Sequence, residues 1–165
     1  MSFDITTPAT LLQKLLLQEQ DDFTKEHCLS ARHALNAVMT AYHLHEWVWW
    51  AFLDQRPDVQ VNLQLPADKK GRTSICSFRD WLSMDGQCPA FADARLITNG
   101  TKHYRRKTIQ TGKHQGAFQR SMVQANAFDV SYLWVERNGR EQRVEDFINE
   151  LVDFWTSFFG AHKIP

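Results

Sequence analysis

Ala31-Arg-His-Ala-Leu-Asn-Ala-Val-Met-Thr-Ala-Tyr-His-Leu-His-Glu-Trp-Val-Trp-Trp-Ala-Phe52 is the stretch that decides the fold. Counted from Cys28, the residues Ala31, Leu35, Val38, Tyr42, His45, Trp49 and Phe52 follow at alternating intervals of three and four. That spacing puts them on one side of a helix, and it predicts a single long central helix over about residues 24–54, ended by Pro57. Ala34, Ala37 and Ala41 flank the seam and leave room for close helix packing.

Working outward, the N-terminal side reads as a second helix. Thr7-Pro8 is an N-cap followed by proline at the first helical position, and Leu11, Leu12, Leu15 and Leu16 face inward. Beyond the long helix, Val59–Leu65 alternates strictly apolar and polar, which predicts a short half-buried strand or an extended arm. Asp68–Gly71 reads as a turn and Phe78–Leu82 as a short helix. Pro89 opens another helix, with Phe91, Ala94 and Ile97 inward. Residues 108–116 are rich in Gly, Thr and His and read as loop. Ala117–Gln124 and Phe128–Arg137 read as strands, and Asn138-Gly139 is a strong hairpin signal. Which strand pairs across it with Arg140–Arg143 stays open. Val144–Phe159 is an amphipathic helix with Val144, Phe147, Ile148, Leu151, Trp155 and Phe158 on one side and Gly160 as its cap. The fold class that follows is α+β: mainly a helical bundle with a long central helix, then a C-terminal β-hairpin and a terminal helix. All 165 residues fit one domain, with a helical part over about 8–107, the hairpin over about 117–143 and the last helix over about 144–160.

Composition excludes several classes. With 43% hydrophobic and 12% aromatic residues the chain has enough apolar surface to pack, which argues against disorder. No apolar run reaches the roughly 18 residues a membrane span needs, and the N-terminus has no basic-then-apolar leader pattern. The three cysteines, Cys28, Cys76 and Cys88, are an odd number without Cys-x-x-Cys spacing. A reduced, cytoplasmic setting with no membrane partner is expected.

Charge is balanced overall but unevenly placed. Residues 1–93 carry 8 Lys/Arg against 12 Asp/Glu, and residues 129–165 carry 4 against 7. Residues 94–128 carry seven bases (Arg95, Lys102, Arg105, Arg106, Lys107, Lys113 and Arg120) and no acid. Such a window reads either as a footprint for a polyanion or as a solvated basic loop offset by acidic neighbours.

Within it, Asn99-Gly-Thr-Lys-His103 places an amide, an ammonium and an imidazole within about one helical turn. Arg95, Asn99 and His103 recur every four residues and would share a helix face. A histidine beside cations can move a proton on a phosphodiester while Arg or Lys holds the phosphate. His103, Asn99 and Arg95 are therefore the candidate catalytic residues, and Lys102, Arg105, Arg106 and Lys107 the candidate phosphate ligands. The competing reading makes Asn99-Gly100 a simple helix end, with Gly100 as a left-handed cap. On the long helix Arg32, Asn36 and His43 share a stripe that either lines a polar pocket with Asn99 and His103 or is an exposed face.

Thr98-Asn-Gly-Thr-Lys-His103 resembles the Arg-Asn-x-x-x-His signature of the HEPN superfamily, small helical-bundle proteins common in prokaryotic toxin and phage-defence systems. Many of its members are metal-independent endoribonucleases in which Arg and His of two protomers build a composite site. Asn99 and His103 match the signature, and Thr98 stands where its arginine would be. The resemblance implies an RNA-binding protein of a defence or toxin–antitoxin setting, dimeric, with RNA as partner, no cofactor, and any catalysis that of a metal-independent endoribonuclease. The whole chain is also similar to uncharacterised bacterial proteins with an Asn-x-x-Lys-His motif and a terminal Trp-x-x-Phe-Phe helix, here Trp155–Phe159.

Three further motifs bear on function. His43 and Glu46 sit one turn apart, as metal ligands do in carboxylate bundles, but no second ligand helix is present and no metal is expected. His45 lies in the apolar seam and reads as a hydrogen-bonded core histidine. Gly112–Gly116 lacks the spacing of a phosphate loop. In addition, Trp47, Trp49 and Trp50 cannot all enter one core from one helix. A homodimer or other protein contact is therefore expected at one of them, and a non-catalytic interaction module is the alternative function.

Overall fold

The computed structural model describes residues 4–102, 111–114, 132–137 and 139–165. Its first rod runs through α1 (Pro8–Leu11), a π-helical turn (Leu12–Leu16) and α2 (Leu17–Lys25). Thr7 caps it through a reciprocal pair of hydrogen bonds with Thr10, as the Thr-Pro start implies. Leu11, Leu12 and Leu16 are buried and Leu15 is half-buried.

The central helix α3 (Ala31–Ala51) is shorter than the predicted span over 24–54. The chain breaks between α2 and α3, where His27 and Cys28 take left-handed conformations with φ of 55° and 59°. The Cys28 amide reaches back to the Phe23 carbonyl at 2.9 Å, closing the end of α2, and Ser30 begins α3. The seam is thus a property of α3 alone, and Cys28, in the turn before it, shares the spacing by coincidence. The break lets α2 fold back onto α3, and His33 locks the corner: its Nδ1–H donates to Glu19 at 2.6 Å while Arg32 donates to its Nε2 at 2.8 Å.

After a 3₁₀ turn (Leu53–Gln55), the expected strand or arm at Val59–Leu65 is instead helix α4 (Pro57–Asn62). Pro57 at the first helical position and Asp58 in the first turn start a helix locally, and this outweighs the alternation. Burial follows the helix: Val59 and Gln60 are inside while Val61 is 74% exposed. The short helix at Phe78–Leu82 is present as α5 (Ile75–Leu82), capped by Ser74 and Ser77. α6 (Pro89–Lys102) begins at Pro89 as its sequence implies.

The sheet has three antiparallel strands in the order β1 (Thr111–His114), β2 (Tyr132–Arg137) and β3 (Arg140–Arg143). β1 falls in the stretch read as loop. Arg140–Arg143 pairs with β2, with Arg137 opposite Arg140 and Gly139 at φ 74° in the turn. The strand expected at Ala117–Gln124 lies outside the described residues. α7 (Val144–His162) then closes the fold and extends past Gly160, which sits inside the helix; Lys163 at φ 51° is the left-handed residue that ends it. Helix continuation past Gly160 is favoured because Ile164 is buried and Pro165 accepts from the Ala9 amide at 3.1 Å, which draws the tail onto α1.

α3 touches α1, α2, α5, α6 and α7 and is the hub of the core. Ala37 and Ala41 are fully buried, and their small size lets α7 approach until the Trp155 indole donates to the Ala41 carbonyl at 2.8 Å. Phe78, Trp81, Phe154, Trp155 and Phe158 form an aromatic cluster between α5 and α7. No helix among the described residues is long and apolar enough to cross a membrane.

Candidate functional site

α6 carries the residues singled out from the sequence. Ala90, Phe91, Ala94 and Thr98 are buried against the core, and Phe91 meets the rings of Tyr42 and His45 on α3. Arg95 and Asn99 come one turn apart on the same side of the helix, and both are half-buried. α6 continues through Gly100 to Lys102, so Gly100 is not the helix cap of the competing reading. Lys102 ends the helix. His103, Arg105, Arg106 and Lys107 lie outside the described residues.

Arg95 sits close enough to α3 to act on the Tyr42 hydroxyl. Burial pushes that phenol up, while Arg95 of α6 and Arg79 of α5 pull it down. Next to it, His45 is buried with Nδ1–H donating to the Tyr42 carbonyl at 2.5 Å. Burial holds its pKa below the ordinary value, so this is the core histidine that the apolar seam implied.

The stripe of Arg32, Asn36 and His43 does not join Asn99 in a shared pocket. Asn36 donates to Glu19 of α2 at 3.0 Å, and Asn36 and His43 line a groove with Leu11, Leu15 and Trp47. The reason is helical phase: Tyr42 and His45, which meet α6, lie on a different side of α3 from Asn36, and His43 follows Tyr42 by about 100° round the helix. His43 and Glu46 are 3.6 Å apart, and among the described residues no group of three His, Cys, Asp or Glu side chains could hold a metal ion. The Cys88 thiol is buried and pushed up to about 12 by that burial and by Glu150, which removes it as a nucleophile.

One apolar concave feature was not legible in the sequence. A cavity of about 620 Å³ opens between the N-terminal half of α3, the end of α6, the sheet and the start of α7. Its walls include Leu35 and Val38 of α3, Ile97 of α6, Leu133 and Val135 of β2, and Phe147 of α7. Strand register sets which side chains face it. Lys113 pairs with Leu133 and Thr111 with Val135, so Lys113 and Thr111 share the cavity side of the sheet. Gly112 and its partner Trp134, which alternate with them along the strands, border the cavity as well.

A polar clamp fixes the sheet over this cavity. Arg137 at the end of β2 donates to Asp93 of α6 at 2.7 Å, to Glu150 of α7 at 2.8 Å and to Gln142 of β3 at 2.7 Å. Its guanidinium also lies 5.3 Å from the centre of the Phe147 ring, and the side chain is 13% exposed. Glu150 additionally accepts from the Ala90 amide at 2.9 Å, at the start of α6. Nothing in the local sequence signals this clamp, because its members lie on four elements.

By architecture the chain is a mainly helical α+β protein whose small antiparallel sheet and helices border an apolar cavity open on one side. No family model, no curated protein and no solved structure matches it.

Proposed function

We propose that this chain is a HEPN-like RNA-binding protein, of a defence or toxin–antitoxin setting, that holds RNA without cutting it. The observation that carries the reading is the acid-free window 94–128 with its seven cations, which starts on α6 at Arg95 and contains β1 with Lys113. A stretch of one sign can neutralise phosphates and release counterions, whatever the base sequence. Arg95, Lys102 and Arg105 hold phosphate in this reading, and His103 is the group assigned to proton transfer.

The position of Thr98 favours binding over cleavage. It stands where the HEPN signature has arginine, and it is fully buried on the core side of α6. An arginine there would point away from any phosphate, and Arg95 is one turn removed. The test is a salt titration of labelled single-stranded RNA in chelator, followed by a denaturing gel. Binding that weakens steeply with salt and leaves the RNA intact is the expected result. Cleavage lost in His103→Ala would make the protein a nuclease instead, and no binding at low salt would remove RNA as the partner.

A second reading, an interaction module acting as a homodimer, is favoured by one observation. Trp49 is buried, whereas Trp47 is 36% and Trp50 62% exposed on α3. Exposed tryptophans of this kind anchor protein contacts. A monomer in sedimentation at micromolar concentration, unchanged by Trp50→Ser, would remove it.

A further inference from the structure

We infer that the cavity between α3, α6, α7 and the sheet is a binding site for a small amphipathic anion: an aliphatic body with a single carboxylate, of the class of medium-chain fatty acids. The inference does not rest on the RNA reading: it is argued from the cavity's apolar walls, and Lys113 is a residue the two share.

Volume is the first argument. The cavity is open to solvent at the Thr111 and Lys113 edge, so a ligand could enter it without the core unfolding. At about 620 Å³ this cavity falls in the range of ligand sites, roughly 300–1,000 Å³.

The walls are the second. They are mostly aliphatic side chains (Leu35, Val38, Ile97, Leu133 and Val135), with Phe147 and Trp134 as the aromatic ones. Ala34 and Gly100 keep the α3 and α6 sides open. Among the described lining residues few side chains are polar, so a nucleobase or sugar would find few partners there for its donors and acceptors, whereas an alkyl chain needs none.

Charge is the third. Among the described lining residues Lys113 is the one charged side chain, and no Asp or Glu accompanies it. β1 register puts Lys113 on the cavity side, and the residue is exposed, which places an ammonium where the apolar space meets water. An apolar interior with a cation at its mouth matches a ligand that is apolar along its length and anionic at one end. The Arg137 clamp holds the sheet, α6 and α7 in place around this space, so the site is formed before any ligand arrives.

The test uses the intact chain and titrates octanoate, decanoate and dodecanoate below their micelle concentrations, with decanol as the uncharged control, by calorimetry and thermal melting. Saturable binding of the carboxylates is expected, with a rise in melting temperature that grows with chain length. Lys113→Glu, an exposed position, should weaken decanoate by about fivefold or more and leave decanol unchanged. Val38→Phe, with folding checked by circular dichroism, should abolish both; if that variant fails to fold, Ile97→Phe takes its place. The inference is overturned if no carboxylate binds saturably, if Lys113→Glu binds decanoate as the parent does, or if the filled variant still binds.

Discussion

Gly112 on β1 lies directly opposite Trp134 on β2, and a Cβ at Gly112 would come within 2.6 Å of the indole Cε2 and Cζ2. The glycine in Gly112–Gly116 therefore has a packing role: its missing side chain is the space the Trp134 ring occupies. Gly112→Val should force the ring off the strand, costing about 1–3 kcal/mol and shifting tryptophan emission to the red. Because the chain has six tryptophans, the emission change is assigned by its disappearance in a Trp134→Phe background. An unchanged spectrum and urea midpoint in Gly112→Val would show that the ring does not rest there.

Arg137 gathers Asp93, Gln142 and Glu150 around one guanidinium. Replacing it by Met keeps the stem and leaves two partly buried carboxylates without their cation. Such one-sided removal is expensive, and Arg137→Met should lower stability by about 3 kcal/mol in urea unfolding. A loss under about 1 kcal/mol would mean that the carboxylates find water instead.

His45 gives the fold a pH dependence with a definite sign. Burial first, against the opposing pull of the Tyr42 carbonyl hydrogen bond, lowers its folded pKa below the unfolded value of 6.5. The unfolded chain thus takes up the proton more readily. The stabilisation is complete above pH 6.5 and is lost as the pH falls below it toward the folded pKa. Urea midpoints should drop between pH 7.5 and 5.5, and His45→Gln should show a shallower drop over that interval. Parallel slopes for parent and variant would assign the dependence elsewhere; His162, held low by burial alone, would contribute with the same sign.

Gly160 sits within α7, where an added Cβ would meet nothing within 4 Å, and its backbone is not left-handed. Gly160→Ala should therefore stabilise the protein by about 0.5–1 kcal/mol, because alanine loses less backbone entropy on entering a helix. Destabilisation would indicate that the helix ends at Gly160 after all.

Much of the fold was legible because it rests on local physics. The starts at Thr7-Pro8, Phe78–Leu82 and Pro89, the amphipathic α7, and the need for at least one of Trp47, Trp49 and Trp50 to leave the core follow from caps, proline and helical periodicity. The errors came where two local signals competed. The seam through Cys28 had the right spacing but crossed a reversal at His27 and Cys28, which no glycine or proline marks. Val59–Leu65 had the alternation of a strand, but its start at Pro57-Asp58 is a helix start. Gly160 resembled a cap, but the burial of Ile164 carried the helix on.

The candidate site divides in the same way. Arg95 and Asn99 could be placed on one side of α6 from their spacing alone, because a helix fixes that spacing. The partners of Arg32, Asn36 and His43 could not, since a stripe on α3 does not say which neighbour it meets; Asn36 bonds Glu19 of α2, while Arg32 and His43 meet His33 and Glu46 of α3 itself.

By itself, then, the sequence determined the helical α+β class, the hub role of the Ala31–Phe52 stretch, the basic window and the core position of His45, all properties of residues near one another in the chain. Only the tertiary structure decided the cavity, the Arg137 clamp and the side of β1 on which Lys113 stands. Each of these depends on how separate elements are brought together and in what register. That is fixed by the burial of surfaces far apart in sequence, such as Ala41 against Trp155, for which the chain carries no local mark.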